Sequence, residues 1–281
     1  MSQPYTVTRH YGDWSQALAY AESAPFRKAC PSATRTDDSR WTGSESLPAF
    51  LATARAGAWS SAQDRSLVDA ISAAVGSHVQ IPTYQVTDDP AFAETFDVGA
   101  LTMGDPDHWI APVYTDAMTA GAHVITIAAS VSASASVDHD AMIRRGALAV
   151  AIAEALELAG YPVELIATFG ATARNTKADY RFEIKPAGQP LDRDRALIAL
   201  AHPSTLRRVV FAMMESEPDE RIYLAQGATS ALGVPAPSAL AADIVIPEMK
   251  GSPRMFESDQ AAIRWALAEL ARIGAVLEPA A

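Results

Sequence analysis

A single cysteine, Cys30, stands among 281 residues. One thiol closes no disulfide within the chain and builds no thiolate cluster, which excludes a disulfide-stapled scaffold and a cysteine-held zinc site. It fits a reducing compartment, so the cytoplasm is the expected location. Long apolar runs are missing too. No stretch approaches the roughly 18 apolar residues that a membrane helix needs, so no membrane partner is expected. The opening run MSQPYTVTRHYGDW lacks the apolar centre of a signal peptide. Basic residues are outnumbered: 22 Lys and Arg face 33 Asp and Glu, a formal net charge of −11. That balance argues against a surface of general positive potential but permits a local basic groove.

Signature motifs are also lacking. There is no G-x-x-x-x-G-K-[ST] phosphate loop and no G-x-G-x-x-G after a strand, so nucleotide binding of the common kinds has no support. There is no G-x-S-x-G nucleophile elbow and no H-E-x-x-H helix. Six histidines are scattered, none at ligand spacing to another. Asp105, Asp107 and His108 follow a Gly104-Asp105-Pro106 turn and read as turn chemistry rather than a metal site. With no base–nucleophile pair, no cofactor signature and no metal set, the chain is expected to be non-enzymatic, without catalytic residues, cofactor or bound metal.

What the sequence does hold is organised around His123 to Gly170. A β-branched apolar run, Val124 to Ala129, reads as a buried strand. A small-residue loop follows, with Ser130, Ser132, Ser134 and Ser136 at alternate positions. Asp138 or Asp140 can cap the next helix, which runs to about Ala159 and stops at Gly160. Pro162 to Phe169 is a second strand. Strand, helix and strand in so short a segment predict a βαβ unit with parallel strands. Every residue from Gly146 to Ala153 is apolar, so this helix should be packed on both sides. Arg144 and Arg145 gain nothing from the positive N-terminal dipole near which they sit. An acidic side chain, a loop carbonyl or an anionic ligand must hold them.

Other elements follow from similar signals. Tyr5 to Thr8 is a short strand, and Trp14 to Ala24 a helix. Pro25 to Arg40 is a polar basic segment carrying Arg27, Lys28, Arg35 and Arg40. Ser44 or Ser46 can cap a helix over 48–56, ended by Gly57, and a second helix spans 62–75. Trp41 and Trp59 flank the first of these, each a core anchor or a stacking platform for a base. His78 to Gln85 and Ala93 to Val98 read as extended. Asp179 to Lys185 alternates strictly and predicts a strand with one wet face near the sheet edge. Helices are expected over 191–201, from Pro203 through Glu215, and over 257–273, with a last buried strand at 242–247. Arg207 and Arg208 form a second arginine pair, and with Arg144 and Arg145 they are candidates for a local basic patch.

The serine loop resembles that of the von Willebrand factor A-type fold, where a D-x-S-x-S loop after the first strand holds a divalent cation. Here the aspartate position is Ala128 or Ser130, depending on which serines are matched. Two hydroxyls without a carboxylate suit a hard cation poorly, so the resemblance implies a metal-free version. The loop could instead offer hydroxyls and N–H groups to a phosphate, or serve only as a tight turn. A second resemblance runs from about Tyr11 to the C-terminus. W-T-G-S at Trp41, A-G-A-W at Ala56, D-V-G…G-D-P-D-H-W from Asp97, R-R-G-A at Arg144, A-G-Y-P-V-E at Ala159, H-P-S-T-L-R-R at His202 and D-I-V-I-P at Asp243 look like an uncharacterised family from tailed bacteriophages and prophages. A remote similarity to a phage single-stranded-DNA-binding cofactor of viral RNA polymerase transfers no residue roles.

The fold expected is α/β: a mainly parallel sheet with helices on both faces, von Willebrand factor A-like or Rossmann-like. A mostly helical N-terminal region over 1–115 precedes this core over 116–281. The function expected is that of a phage-type binding protein, a metal-free A-like interaction module for assembly or for recruiting a protein partner, with a phage-encoded protein among the candidates. The alternative is single-stranded DNA binding in phage transcription or replication. Candidate binding residues are Ser130, Ser132, Ser134, Arg144, Arg145, Arg207, Arg208, Trp41, Arg35 and Arg40. If the chain is viral, the location is the host cytoplasm or the virion.

Overall fold

The computed structural model describes residues 5–23, 38–57, 59, 62–76, 83–87, 89–91, 93, 95–113, 124–222, 234–251 and 253–273. The predicted βαβ unit is present. Strand β5 (Ile125–Ser130) leads through a long helix (His139–Leu158) to β6 (Val163–Ala173), and the two strands pair in parallel from Ile125↔Val163 to Ser130↔Thr168. Asp138 caps the helix, accepting the Asp140 N–H at 3.1 Å. Gly160 ends it in the left-handed region, at φ 86°.

This long helix owes its place to packing. Its whole centre, Ala147 to Ala153, is buried. It lies among the helices Ala62–Gly76, Arg193–Ala201 and Asp259–Arg272 as well as against the sheet. Each buried Leu, Val or Ile there contributes about 1.5–3 kcal/mol by leaving water, far more than any helix propensity supplies. Gly146 permits the closest of these approaches, because a Cβ at that position would fall 2.3 Å from the Cα of Ala201.

The helices are labelled in chain order: α1 (Trp14–Ser23), α2 (Ser39–Thr42), α3 (Leu47–Ala56), α4 (Ala62–Gly76), α5 (Val98–Thr102), α6 (His139–Leu158), α7 (Arg193–Ala201), α8 (Phe211–Glu215) and α9 (Asp259–Arg272). The remaining strands are β1 (Tyr5–Asp13), β2 (Thr83–Thr87), β3 (Thr95–Phe96), β4 (Trp109–Val113), β7 (Thr176–Lys185), β8 (Val234–Pro235) and β9 (Ile244–Ile246). The central sheet has the order β1-β7-β6-β5-β9, with β8 added to β6. β5 is parallel to both β6 and β9, and β1 is parallel to β7; β6 and β7 form an antiparallel pair. The fold is therefore α/β with a mostly parallel sheet flanked by helices.

Three expectations are corrected. The strand over 176–185 does lie near the sheet edge, with only β1 outside it from Tyr5↔Thr176 to His10↔Arg181, but its polar face is not wet throughout. Its strict alternation reflects side chains such as Asp179 and Lys185 that are buried in ion pairs. The N-terminal segment is not a separate helical region, since β1 joins the central sheet and Trp14, Phe50, Leu51, Ile71 and Val75 enter the same core as β5 and α6. The helix expected from Pro203 is a π-helix over Thr205–Val210 that continues as α8.

A second sheet stands apart. β2, β4 and β3 form a three-stranded antiparallel sheet, and α5 follows β3 after the cap residue Asp97. None of its described residues belongs to the hydrophobic core cluster.

Candidate functional site at the carboxyl ends of β5 and β9

From β5 the chain crosses to β6 on one side, and β9 arrives later on the other. Ligands of open α/β sheets bind where the strand order reverses in this way, beyond the carboxyl ends. The serine loop leaves β5 at that point, and the segment after β9 faces it.

Two of the loop's hydroxyls, those of Ser130 and Ser132, are engaged internally; Ser134 is half-buried and Ser136 exposed. Ser130 is buried and its Oγ accepts the Ser132 N–H at 3.2 Å. Ser132, also buried, donates its Oγ–H to Gly170 O and accepts the Gly170 N–H, each at 2.9 Å. Backbone bonds then close the gap between the two loops: the Ser134 N–H donates to Met249 O at 2.8 Å and the Met249 N–H to Ser132 O at 3.0 Å. Where a metal-holding loop would present oxygens outward, this one turns them onto its own chain. No group of three His, Cys, Asp or Glu side chains suited to a metal occurs among the described residues.

The arginine pairs are not a surface patch. Arg145, Arg207 and Arg208 are buried. Arg145 Nη1 donates to Ser132 O at 2.6 Å. Arg207 donates to Trp41 O and, at 2.7 Å, to Val137 O. Arg208 Nη2 serves Thr42 Oγ1, Ser44 O and Glu45 O at 2.9–3.0 Å. Burial lowers the pKa of Arg145 and Arg207; Glu248 opposes this at Arg145, and Asp138 and Asp38 oppose it at Arg207. Of the holders expected for the first pair, Arg145 thus has the loop carbonyl, while Arg144 has an acidic side chain, with Nε on Asp259 Oδ1 and Nη1 on Phe256 O, both at 2.7 Å.

What Arg207 and Arg208 hold is the turn around α2. Asp38 caps α2, and Gly43 ends it at φ 83°. The Trp41 carbonyl also accepts from His139 Nε2 at 2.7 Å, and the Ser204 hydroxyl donates to Thr42 O at 2.6 Å. Trp41 is half-buried: its Nε1–H donates to Ala135 O at 2.9 Å, and Arg207 lies 4.7 Å from its ring centroid. Phe211 packs near it as well. Its ring is therefore not an open stacking platform. Arg40 is exposed on α2. Arg35, with Arg27 and Lys28, lies outside the described residues.

The crevice is thus occupied by the chain's own loops. Sequence reasoning brought the serines and the two arginine pairs into view but not their partners, Gly170 and Met249 for the serine loop and Val137, Ser44 and Glu45 for the second arginine pair. A carbonyl acceptor leaves no mark in side-chain chemistry.

The small sheet has the opposite character. Val86, Phe96, Val98, Leu101 and Met103 are exposed, Met103 by 88 %. Phe96 meets Trp109 edge to face at 6.3 Å. Val86 pairs with Ile110 and Phe96 with Trp109, so apolar groups lie on both faces. The exposed carboxylates Asp89, Asp97, Asp105 and Asp107 flank them. The segment read as a turn is one: the Asp107 N–H donates to Asp105 Oδ1 at 2.9 Å.

The model of a family described as Domain of unknown function (DUF7192) matches residues 3–273. No curated protein and no solved structure matches the chain.

Proposed function

We propose, for a chain that belongs to the DUF7192 family, that it is a binding protein: a metal-free interaction module, A-like in its core, that recruits a protein partner through the β2–β4–β3 sheet and α5. One observation carries this reading. The small sheet and α5 give none of their described side chains to the central core cluster, yet together with Met103, which ends α5, they expose five large hydrophobics: Val86 and Phe96 on the strands and Val98, Leu101 and Met103 on or beside the helix. A three-stranded sheet needs a buried apolar face to be stable, and apolar surface left in water marks a contact site. The flanking aspartates and the net charge of −11 fit a partner whose apolar docking element is bordered by Lys and Arg; they oppose a second copy of this chain. The resemblance to proteins of tailed phages and prophages makes a phage-encoded partner the first to try.

The test places a photo-crosslinking residue at Met103, identifies the adduct and purifies that partner. Binding should weaken about tenfold or more in Phe96→Asp and Met103→Asp, as for central apolar contacts, and should fall as salt rises. Affinity unchanged in both variants overturns the docking site. A salt-dependent gel shift with single-stranded DNA that survives both variants would favour the nucleic-acid function instead.

A further inference from the structure

Side chains from α6 and the π-helix converge on one short segment, residues 38–45. Arg207 and His139 Nε2 both donate to Trp41 O, the histidine at 2.7 Å. Arg208 Nη2 donates to Ser44 O at 2.9 Å and to Glu45 O at 3.0 Å. Both arginines lie on the π-helix Thr205–Val210. Neighbours in an α-helix do not face the same way. This wider turn, a form frequent at functional sites, lets consecutive arginines serve one segment. The place is beside the carboxyl end of β5, where open α/β sheets take ligands. There the Trp41 Nε1–H donates to Ala135 O at 2.9 Å, and Arg207 to Val137 O at 2.7 Å.

The segment gives little in return. None of its residues belongs to the hydrophobic core cluster, and the one ring it brings, Trp41, is half-buried against Arg207 and Phe211. Nor does it neutralise the charge beneath it. Arg207, and Arg145 whose charge it repels, have no carboxylate within ion-pair distance among the described residues. Carbonyl dipoles repay only part of the cost of burying a cation. Arg145 Nε is buried with no partner at all. Asp38, one of the two acids that favour the Arg207 charge, belongs to the segment and leaves when it leaves.

We infer that residues 38–45 are a strap closed over an anion site, and that a small phosphate-bearing molecule displaces it, its oxygens taking the donors of Arg207, Arg208 and His139 that the strap's carbonyls now fill. Guanidinium forks match phosphate oxygens two at a time. Neighbouring buried cations without ion pairs suit a multiply charged anion better than a single carboxylate. The small sheet takes no part in this site, so the strap is a second point of recognition, closed until its ligand arrives.

Pyrophosphate is the probe, added to the full-length ¹⁵N-labelled protein, with sodium chloride at matched ionic strength as the control. The reporter is the Trp41 indole N–H, assigned by its absence in Trp41→Phe. The Trp14 indole, 1 % exposed in the core, is the internal reference. A ligand that binds only the open form draws the protein into it. Pyrophosphate should therefore shift the Trp41 resonance saturably and speed its exchange with water, leaving Trp14 as it was. Asp38→Ala, which removes the cap of α2, should lower the half-saturating concentration about fivefold. Arg207→Gln should abolish the response; if that variant does not fold, the comparison of Asp38→Ala with the wild-type protein decides. An oligothymidylate at equal phosphate concentration should act no better than chloride. The inference is overturned if pyrophosphate leaves Trp41 unmoved in both the wild-type protein and Asp38→Ala, or if chloride acts as well. An oligothymidylate that displaces the strap at lower concentration overturns the assignment to a small molecule.

Discussion

Ser132 and Gly170 satisfy each other in both directions, the hydroxyl donating to the glycine carbonyl and accepting from its amide, each at 2.9 Å. Gly170 O has a second donor in the Ala236 N–H at 2.9 Å. Removing the hydroxyl therefore falls mainly on the buried Gly170 N–H. Ser132→Ala should lose about 1–3 kcal/mol, the cost of orphaning a buried donor. Because that hydroxyl faces inward, millimolar Mg²⁺ or Mn²⁺ should leave the melting temperature of the wild-type protein where it was, whereas an ion bound to the native state would raise it. A metal-dependent rise that Ser132→Ala abolishes would sink the inward reading of the loop.

Gly146→Ala sets two effects of opposite sign against each other. Mid-helix alanine gains about 1 kcal/mol of propensity over glycine. Here the new Cβ would lie 2.3 Å from Ala201 Cα and 2.4 Å from Ala201 N. Those are backbone atoms and cannot rotate aside. Overpacking costs about 1–3 kcal/mol, sometimes more, so the net change should be a loss, visible as a lower denaturant midpoint. A stabilised variant would mean that α6 and α7 separate easily.

His202 links stability to pH. It is buried, rests against Phe50 at 4.7 Å and Trp59 at 5.4 Å, and its Nδ1 accepts the Ser204 N–H at 3.1 Å, which requires the neutral ring. Burial, reinforced by His139, lowers its pKa from 6.5 to about 4. Between those two values the unfolded chain holds a proton that the folded one does not. Stability therefore falls as pH drops from 6.5 towards 4, by about 3 kcal/mol in all. Urea midpoints measured across this range should fall less steeply in His202→Gln than in the wild-type protein. Parallel curves for the two would show that His202 is not the group responsible.

Local signals in the sequence led to the right elements where the cause was local. Asp138 and Ser46 cap helices through their own side chains, and the alternatives Asp140 and Ser44 do not. The apolar centre of α6 meant packing on more than one side, as found. The site was less legible because its chemistry is non-local. Arginine is read from sequence as a surface residue, yet Arg207 and Arg208 are buried against carbonyls more than 160 positions away. Nothing in Asp38–Glu45 announces that its backbone will neutralise them. The exposed face of β2–β4–β3 was missed for the reverse reason, since apolar side chains in extended segments imply a core that here lies outside the central fold.

The pairing of β1 with β7 has a consequence in time. Tyr5 meets Thr176 and its neighbours follow in register, so β1, once made, must wait for a partner far downstream in the chain. At ribosomal rates of about 5–20 residues per second that wait is on the order of ten to thirty seconds. Sheet closure is therefore a contact of high sequence separation, of the kind that slows folding. Throughout the interval β1 is an open ladder of N–H and C=O groups, the kind of edge to which other chains add. Its one fully buried side chain is Val7, and Thr6, Thr8 and His10 face solvent. A waiting strand with so little apolar surface is a poor template for aggregation on the ribosome.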